Sequence, residues 1–177
     1  MSEYRKTSPD ELYFITLTVT GWTDLFTRSV YKDIVIDNLR YCQENENLVI
    51  YSYVIMSNHL HLICRRKGKD LKELLGRFKG YTSKQLLKEI QTNAQESRKE
   101  RLLHQFNFFA KRNKQYSQYH LWQYKDHPIL LFTPEVTQQK QIYIHENPVK
   151  AGIVNDATAY GYSSACLDSP LQVSDLF

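Results

Sequence analysis

The sequence predicts an α+β fold, with an antiparallel β-sheet packed against α-helices. Three observations carry this. Residues 13–20, YFITLTVT, alternate apolar and polar side chains with the period of a half-buried strand. Residues 48–65 hold two β-rich runs separated only by Ser57-Asn58, the pattern of a hairpin. Helical spacing fills much of the rest, without the strict strand–helix alternation of a parallel, doubly wound sheet. The 177 residues suit a single domain, placed at 1–167, with 168–177 as a poorly specified C-terminal tail.

The elements follow in order. In the first strand Tyr13, Ile15, Leu17 and Val19 share one face, and Thr16, Thr18 and Thr20 the other. Val30, Ile34, Val35, Leu39 and Cys42 predict a helix over 30–44. LVIYSYVIM, residues 48–56, is a second strand, and HLHLICR, residues 59–65, is its returning partner. Asp70 and Glu73 form a capping box ahead of a long helix reaching about Ile90, weakened midway by Gly80. QTNAQESRKE, residues 91–100, is polar and reads as a linker or an exposed helix start. Leu102, Leu103, Phe106 and Phe109 mark the next helix. An irregular, aromatic and basic stretch follows, then PILLF, a short strand. Thr133, Pro134 and Glu135 open a last helix with an N-cap, a first-position proline and an acid near the positive helix end. Pro148 disfavours helical geometry at Asn147, so this helix is expected to run to about Glu146 and stop. The predicted order is β-α-β-β-α-α-β-α.

Composition narrows the function. Hydrophobic content of 42% is enough for a core and argues against wholesale disorder. No apolar run approaches the ~18 residues of a membrane-spanning helix. The polar start, MSEYRKTSPDE, has no apolar signal region, so a cytoplasmic protein is expected. Cys42, Cys64 and Cys166 are scattered with no C-x-x-C pair, so neither a disulfide framework nor a thiolate zinc site is indicated. A net charge of +4 together with 13 tyrosines is compatible with single-stranded nucleic acid, where rings stack on bases and cations follow phosphates.

The chemistry centres on His59 and His61. Residues two apart on a strand point to the same face, so both imidazoles can be offered to one metal ion, while Leu60 and Leu62 anchor the strand from the opposite face. Two satisfied structural histidines are the alternative reading. A third ligand and a reacting group are available in the late helix, QIYIHENPVKAG. Tyr143 and Asn147 are four apart and share a helix face. Asn147 can offer an amide oxygen, and Tyr143 a nucleophile. A His-His-amide set leaves open positions and suits Mg²⁺ or Mn²⁺ holding a phosphate oxygen. A free phenol is only about 0.1% ionised at neutral pH, so the metal's main task would be to stabilise charge on the phosphate. Lys140, three residues before Tyr143, could favour the phenolate or contact phosphate; a solvated helix charge is its ordinary role.

At these residues the chain resembles the small HUH single-tyrosine transposases, and among them the REP-associated tyrosine transposases of bacterial genomes. The resemblance rests on YVIMSNHLHLI, then LWQYKDHPI, YIHENPVKAGIV and YGYSSA, in that order, and spans about Tyr13 to Ala165. It implies a ferredoxin-like sheet. It implies His59 and His61 as metal ligands, Asn147 as the third, and Tyr143 as the nucleophile. The implied reaction is transesterification on single-stranded DNA, hairpin or palindromic, through a 5′-phosphotyrosine, without ATP. Some relatives are dimers that exchange the tyrosine, so monomer and homodimer both stand. Ser57 replaces a common proline and Tyr162 a common tryptophan, both mild departures. Tyr116, Tyr119 and Tyr124 are rival tyrosines, and the i, i+4 link to Asn147 favours Tyr143. Arg65, Arg66, Lys67, Lys111, Arg112, Lys114, Lys140 and Lys150 are the expected DNA contacts, with Lys69 beside them. Two rival readings remain: a non-catalytic, domesticated hairpin-binding protein, and an unrelated metal hydrolase with a water nucleophile.

Overall fold

The computed structural model describes residues 7–112 and 118–176. Four strands form one sheet: β1 (Tyr13–Thr18), β2 (Leu48–Ile55), β3 (His59–Arg66) and β4 (Ile129–Leu130). Four helices accompany them: α1 (Ser29–Asn45), α2 (Leu71–Thr92), α3 (Lys99–Lys111) and α4 (Pro134–Lys150). The spatial order is β2-β3-β1-β4 and every neighbouring pair is antiparallel. This is the ferredoxin-like arrangement, in which the third strand lies between the first two.

Alternation along β1 and β3 gives the sheet two different faces. Ile15, Leu17, Leu60 and Leu62 enter the main core with residues of α1, α2 and α3, such as Val35, Leu39, Phe78 and Phe106. On the opposite face Phe14, Val54 and Ile63 form a smaller cluster with Ile144 of α4 and with Tyr160. Asp70 caps α2 by accepting the N–H of Lys72 at 2.8 Å and the hydroxyl of Thr7. Glu73 faces Arg66 at 3.5 Å, the ion-pair partner of a buried cation.

Irregular chain covers the edge of β2 and the part of β1 that extends beyond the two-residue β4. Along β2, Ile55 donates to the Tyr162 carbonyl at 2.9 Å and Ser164 donates to the Tyr53 carbonyl at 3.0 Å. The YGYSSA stretch is therefore an edge cover. Along β1, Gln123 donates to the Thr18 carbonyl at 2.8 Å and Thr20 donates to the Leu121 carbonyl at 2.7 Å. Trp122 is buried there, its indole N–H on the Thr82 hydroxyl at 2.9 Å. Beyond Leu167, where the sequence has no pattern, Leu171 enters the main core and Ser174 donates to the Ile50 carbonyl at 2.8 Å.

Two expectations are corrected. The last helix passes through Pro148 and ends at Lys150. Proline has no N–H for the Ile144 carbonyl, but Ile144 and Pro148 are both buried, and packing outweighs the missing bond. The helix then closes in a Schellman motif: Ile153 donates to Pro148 and Gly152 to Val149, both at 2.9 Å, with Gly152 at φ +70°. The 91–100 segment is not wholly exposed. Glu96 is buried, accepting from the Tyr31 hydroxyl at 2.7 Å and pairing with Arg98 at 2.9 Å and Arg28 at 3.3 Å.

Candidate functional site

The polar face of β1 meets the two histidines of β3. Thr16 lies directly opposite His61, and Thr18 opposite His59. The Thr16 hydroxyl is 2.8 Å from His61 Nδ1, and the Phe14 ring stacks on the His61 imidazole at 5.2 Å with a 24° tilt. The His59 and His61 ring centres are 4.7 Å apart. His59 Nδ1 is 2.7 Å from the Asn58 Oδ1. An amide oxygen only accepts, so His59 carries its proton on Nδ1 and its Nε2 keeps a free lone pair.

These contacts provide the test of fit for a metal ion. Each imidazole spends Nδ1 on a neighbouring polar group, the outer-shell pattern that orients metal-binding histidines. His61 Nε2 is buried without a hydrogen-bond partner. Burial lowers the pKa of both rings; for His61 the nearby His59 and Lys140 charges add to it, and the value falls to about 3. Both rings are therefore neutral near pH 7, as ligands must be. An orphaned buried nitrogen beside a second preset imidazole fits a divalent cation. No group of three His, Cys, Asp or Glu that could hold a metal ion exists among the described residues.

Helix α4 brings Tyr143 to this pair. Its ring centre is 5.3 Å from that of His61 and 6.0 Å from that of Phe14, edge-on to both. Tyr143 is 40% exposed, so its side chain is partly open to solvent. Lys140 Nζ lies 4.8 Å from the Phe14 ring centre and 5.8 Å from that of Tyr143, which puts a cation over the same corner. Asn147 stands half-buried one turn beyond Tyr143; among the described residues its amide makes no hydrogen bond to either imidazole. His145 points elsewhere: its Nε2 is 3.2 Å from the Ser52 hydroxyl and 3.0 Å from that of Ser164. That contact pins α4 to β2 and the edge cover, and so fixes the helix over the histidines.

The expected DNA contacts divide. Arg66 is corrected outright: it is buried at 2% exposure, on the core face of β3, held by Glu46 at 2.8 Å and by the Asp70 carbonyl at 2.8 Å. A cation so enclosed cannot reach a phosphate backbone. Arg65, one residue earlier, lies on the histidine face with its guanidinium 5.7 Å from the Tyr51 ring centre. Lys67, Lys111, Arg112 and Lys150 are exposed. Lys114 lies outside the described residues, as does the rival Tyr116. Tyr119 packs against the main core, and Tyr124 is exposed at 47%.

The sequence reading missed the support of the pair. Asn58 does more than turn the chain. Its Nδ2 donates to the Trp22 carbonyl at 3.3 Å and to Asp24 at 3.1 Å, and Ser57 donates to the same Asp24 carboxylate at 2.7 Å. A polar residue just before a histidine on a hairpin turn was the available signal, but its partner lies 34 residues away.

The family model described as "Transposase IS200 like" matches residues 13–127, which includes both histidines and ends before α4. A solved structure of a REP-associated tyrosine transposase bound to a REP hairpin has a similar fold, with a TM-score of 0.64 and 18% identity, covering 93% of this chain and 82% of that one. No curated protein sequence matches the chain. Among the described residues no helix is long and apolar enough to cross a membrane. With the family model covering well over half of its length, the chain belongs to the IS200-like transposase family.

Proposed function

We propose that the protein is a metal-dependent single-stranded DNA endonuclease and strand transferase that acts through Tyr143. The observation that carries this is the meeting, in one chain, of an exposed phenol with a pair of neutral, pre-oriented imidazoles. His59 and His61 would hold the ion through Nε2, and Asn147, on the Tyr143 face of α4, would supply an amide oxygen. When bound, Mg²⁺ or Mn²⁺ would polarise the scissile phosphate and offset its developing charge.

The chain's own residues do the rest. Tyr143 Oη attacks the phosphorus, an O–P bond to tyrosine forms, and the bond to the 3′ oxygen breaks. The phenolic proton is lost and the departing oxygen takes up a proton as a 3′-hydroxyl. The product is a 5′-phosphotyrosine, and attack by another 3′-hydroxyl reverses the step and joins strands. The number of phosphodiester-type bonds is conserved, which removes any need for ATP. Lys140, whose Nζ lies 5.8 Å from the Tyr143 ring centre, would face the negative charge of the phosphate. Arg65, Lys67, Lys111, Arg112, Lys114 and Lys150 would contact the DNA backbone.

The substrate we infer is a hairpin with unpaired flanks. The fold likeness to a hairpin-bound transposase supports it. The test is to incubate the protein with Mn²⁺ and a labelled strand carrying a palindrome from beside its gene. A covalent adduct is expected, absent in Tyr143→Phe and in His59→Ala. Binding without any adduct would favour a non-catalytic hairpin-binding protein. Cleavage that persists in Tyr143→Phe would favour a water nucleophile.

A further inference from the structure

Trp22 is the odd side chain beside the site. The protein's other tryptophan, Trp122, is buried at 3% exposure, whereas Trp22 is 62% exposed. Its backbone has φ +54°, the left-handed region, which is costly for a bulky side chain. The preceding Gly21 has φ +66°, and a Cβ there would lie 2.4 Å from the Phe109 ring of α3, so only glycine allows this approach.

The surroundings hold that conformation. Trp22 N–H donates to the Val19 carbonyl at 3.0 Å, and the Trp22 carbonyl accepts from Asn58 Nδ2 at 3.3 Å. The same Asn58 amide orients His59 through its oxygen. One side chain thus fixes both the imidazole and the indole. The Trp22 and His59 rings lie 6.2 Å apart at 73°, and the indole is mostly exposed beside the histidines. Positive charge lies close by along the chain: exposed Lys111 and Arg112 follow Phe109, the residue packed against Gly21, and Arg112 sits 4.4 Å from the Phe108 ring centre.

We propose that Trp22 is the stacking platform for the unpaired nucleobase next to the phosphate that reaches the His59–His61 site, a role that rests on the single-strand reading given above. A fixed aromatic surface with flanking cations is the chemistry by which single-stranded nucleic acid is held without regard to sequence. Positioning the base there would set which phosphate comes to Tyr143.

The test uses full-length protein carrying Tyr143→Phe, without metal, so that binding is read apart from cleavage. A hairpin with an unpaired flank and the same hairpin without it are titrated. The flanked DNA is expected to quench the emission of the exposed indole, and Trp22→Phe to remove that quench while keeping most of the affinity. Trp22→Ala should weaken the flanked hairpin by about 5- to 150-fold, the range for losing one stacked base, and leave the blunt hairpin unchanged. An abasic nucleotide in the flank should weaken wild-type binding similarly and add little to Trp22→Ala. Unchanged affinity in Trp22→Ala, equal weakening of both hairpins, or losses that multiply with the abasic site would overturn the proposal. So would failure of the parent to bind flanked DNA. Absence of a covalent adduct in the metal-containing wild type, with the quench intact, would instead sink the catalytic reading and leave the platform standing.

Discussion

The two faces of the sheet are made from alternate residues of the same strands, yet they are different materials. On one face Ile15, Leu17, Leu60 and Leu62 lie within 1% of complete burial under three helices. On the other, Thr16 and Phe14 cradle His61, and a single helix brings Tyr143 and Lys140 over it. A strand's period of two permits this division: the leucines of β3 fill the main core, while its histidines lie on the face of the smaller cluster that holds Phe14 and Ile63. Stability and chemistry are separated by one residue step.

The sharpest way to break this comparison is to mutate neighbours. Leu62→Ala should cost about 2–5 kcal/mol of stability, as other buried leucines do. His61→Ala should abolish adduct formation while leaving the thermal midpoint within a few degrees, read by circular dichroism. Equal destabilisation by both would mean that His61 is itself a packing residue of the smaller cluster.

The arginine pair applies the same test at the end of β3. Arg66→Ala should lower stability in urea unfolding, because a fully buried side chain and its bonds to the Glu46 and Asp70 carbonyls are lost, while Glu46 keeps Arg77 at 2.8 Å. Arg65→Ala should change stability by no more than about 0.5 kcal/mol and act instead on DNA affinity.

Smaller effects belong to the groups that orient the imidazoles. Thr16→Val and Asn58→Ala should each weaken Mn²⁺ binding by about 10- to 100-fold, measured by calorimetry, with the fold retained. Values equal to wild type would remove both from the account.

The last effect is in pH. His61 has a folded pKa of about 3, below its usual 6.5, so the unfolded chain binds its proton first. Its contribution is full above about 6.5 and is lost as pH falls toward 3. Glu96 is held down to about 2, chiefly by its bond to Arg98, so its contribution is lost only from about 4.5 downward. Metal-free unfolding between pH 7 and 5 should therefore have a shallower slope in His61→Asn, while Glu96→Gln should alter only the more acid range.

Much of the fold is legible in local pattern. Alternation marks β1, and the paired runs around Ser57-Asn58 mark the β2–β3 hairpin, because burial on one face imposes a period. The juxtaposition of Tyr143 with His61 follows from a helix packing across that face, which sequence spacing can suggest but not measure. What was not legible depends on distant partners. Arg66 and Glu96 are charged and read as surface, yet each is enclosed by opposite charge from another segment. Pro148 reads as a stop, but burial carried α4 past it to the Gly152 turn, a signal already present in KAG.

The central claim is that the phenol beside His61 is the group that takes the DNA. The direct measurement is to form the Mn²⁺-dependent adduct on a labelled hairpin strand, digest it, and identify the modified peptide by mass. The account predicts the label on Tyr143 alone. A label on Tyr119 or Tyr124, or on no tyrosine, would contradict it.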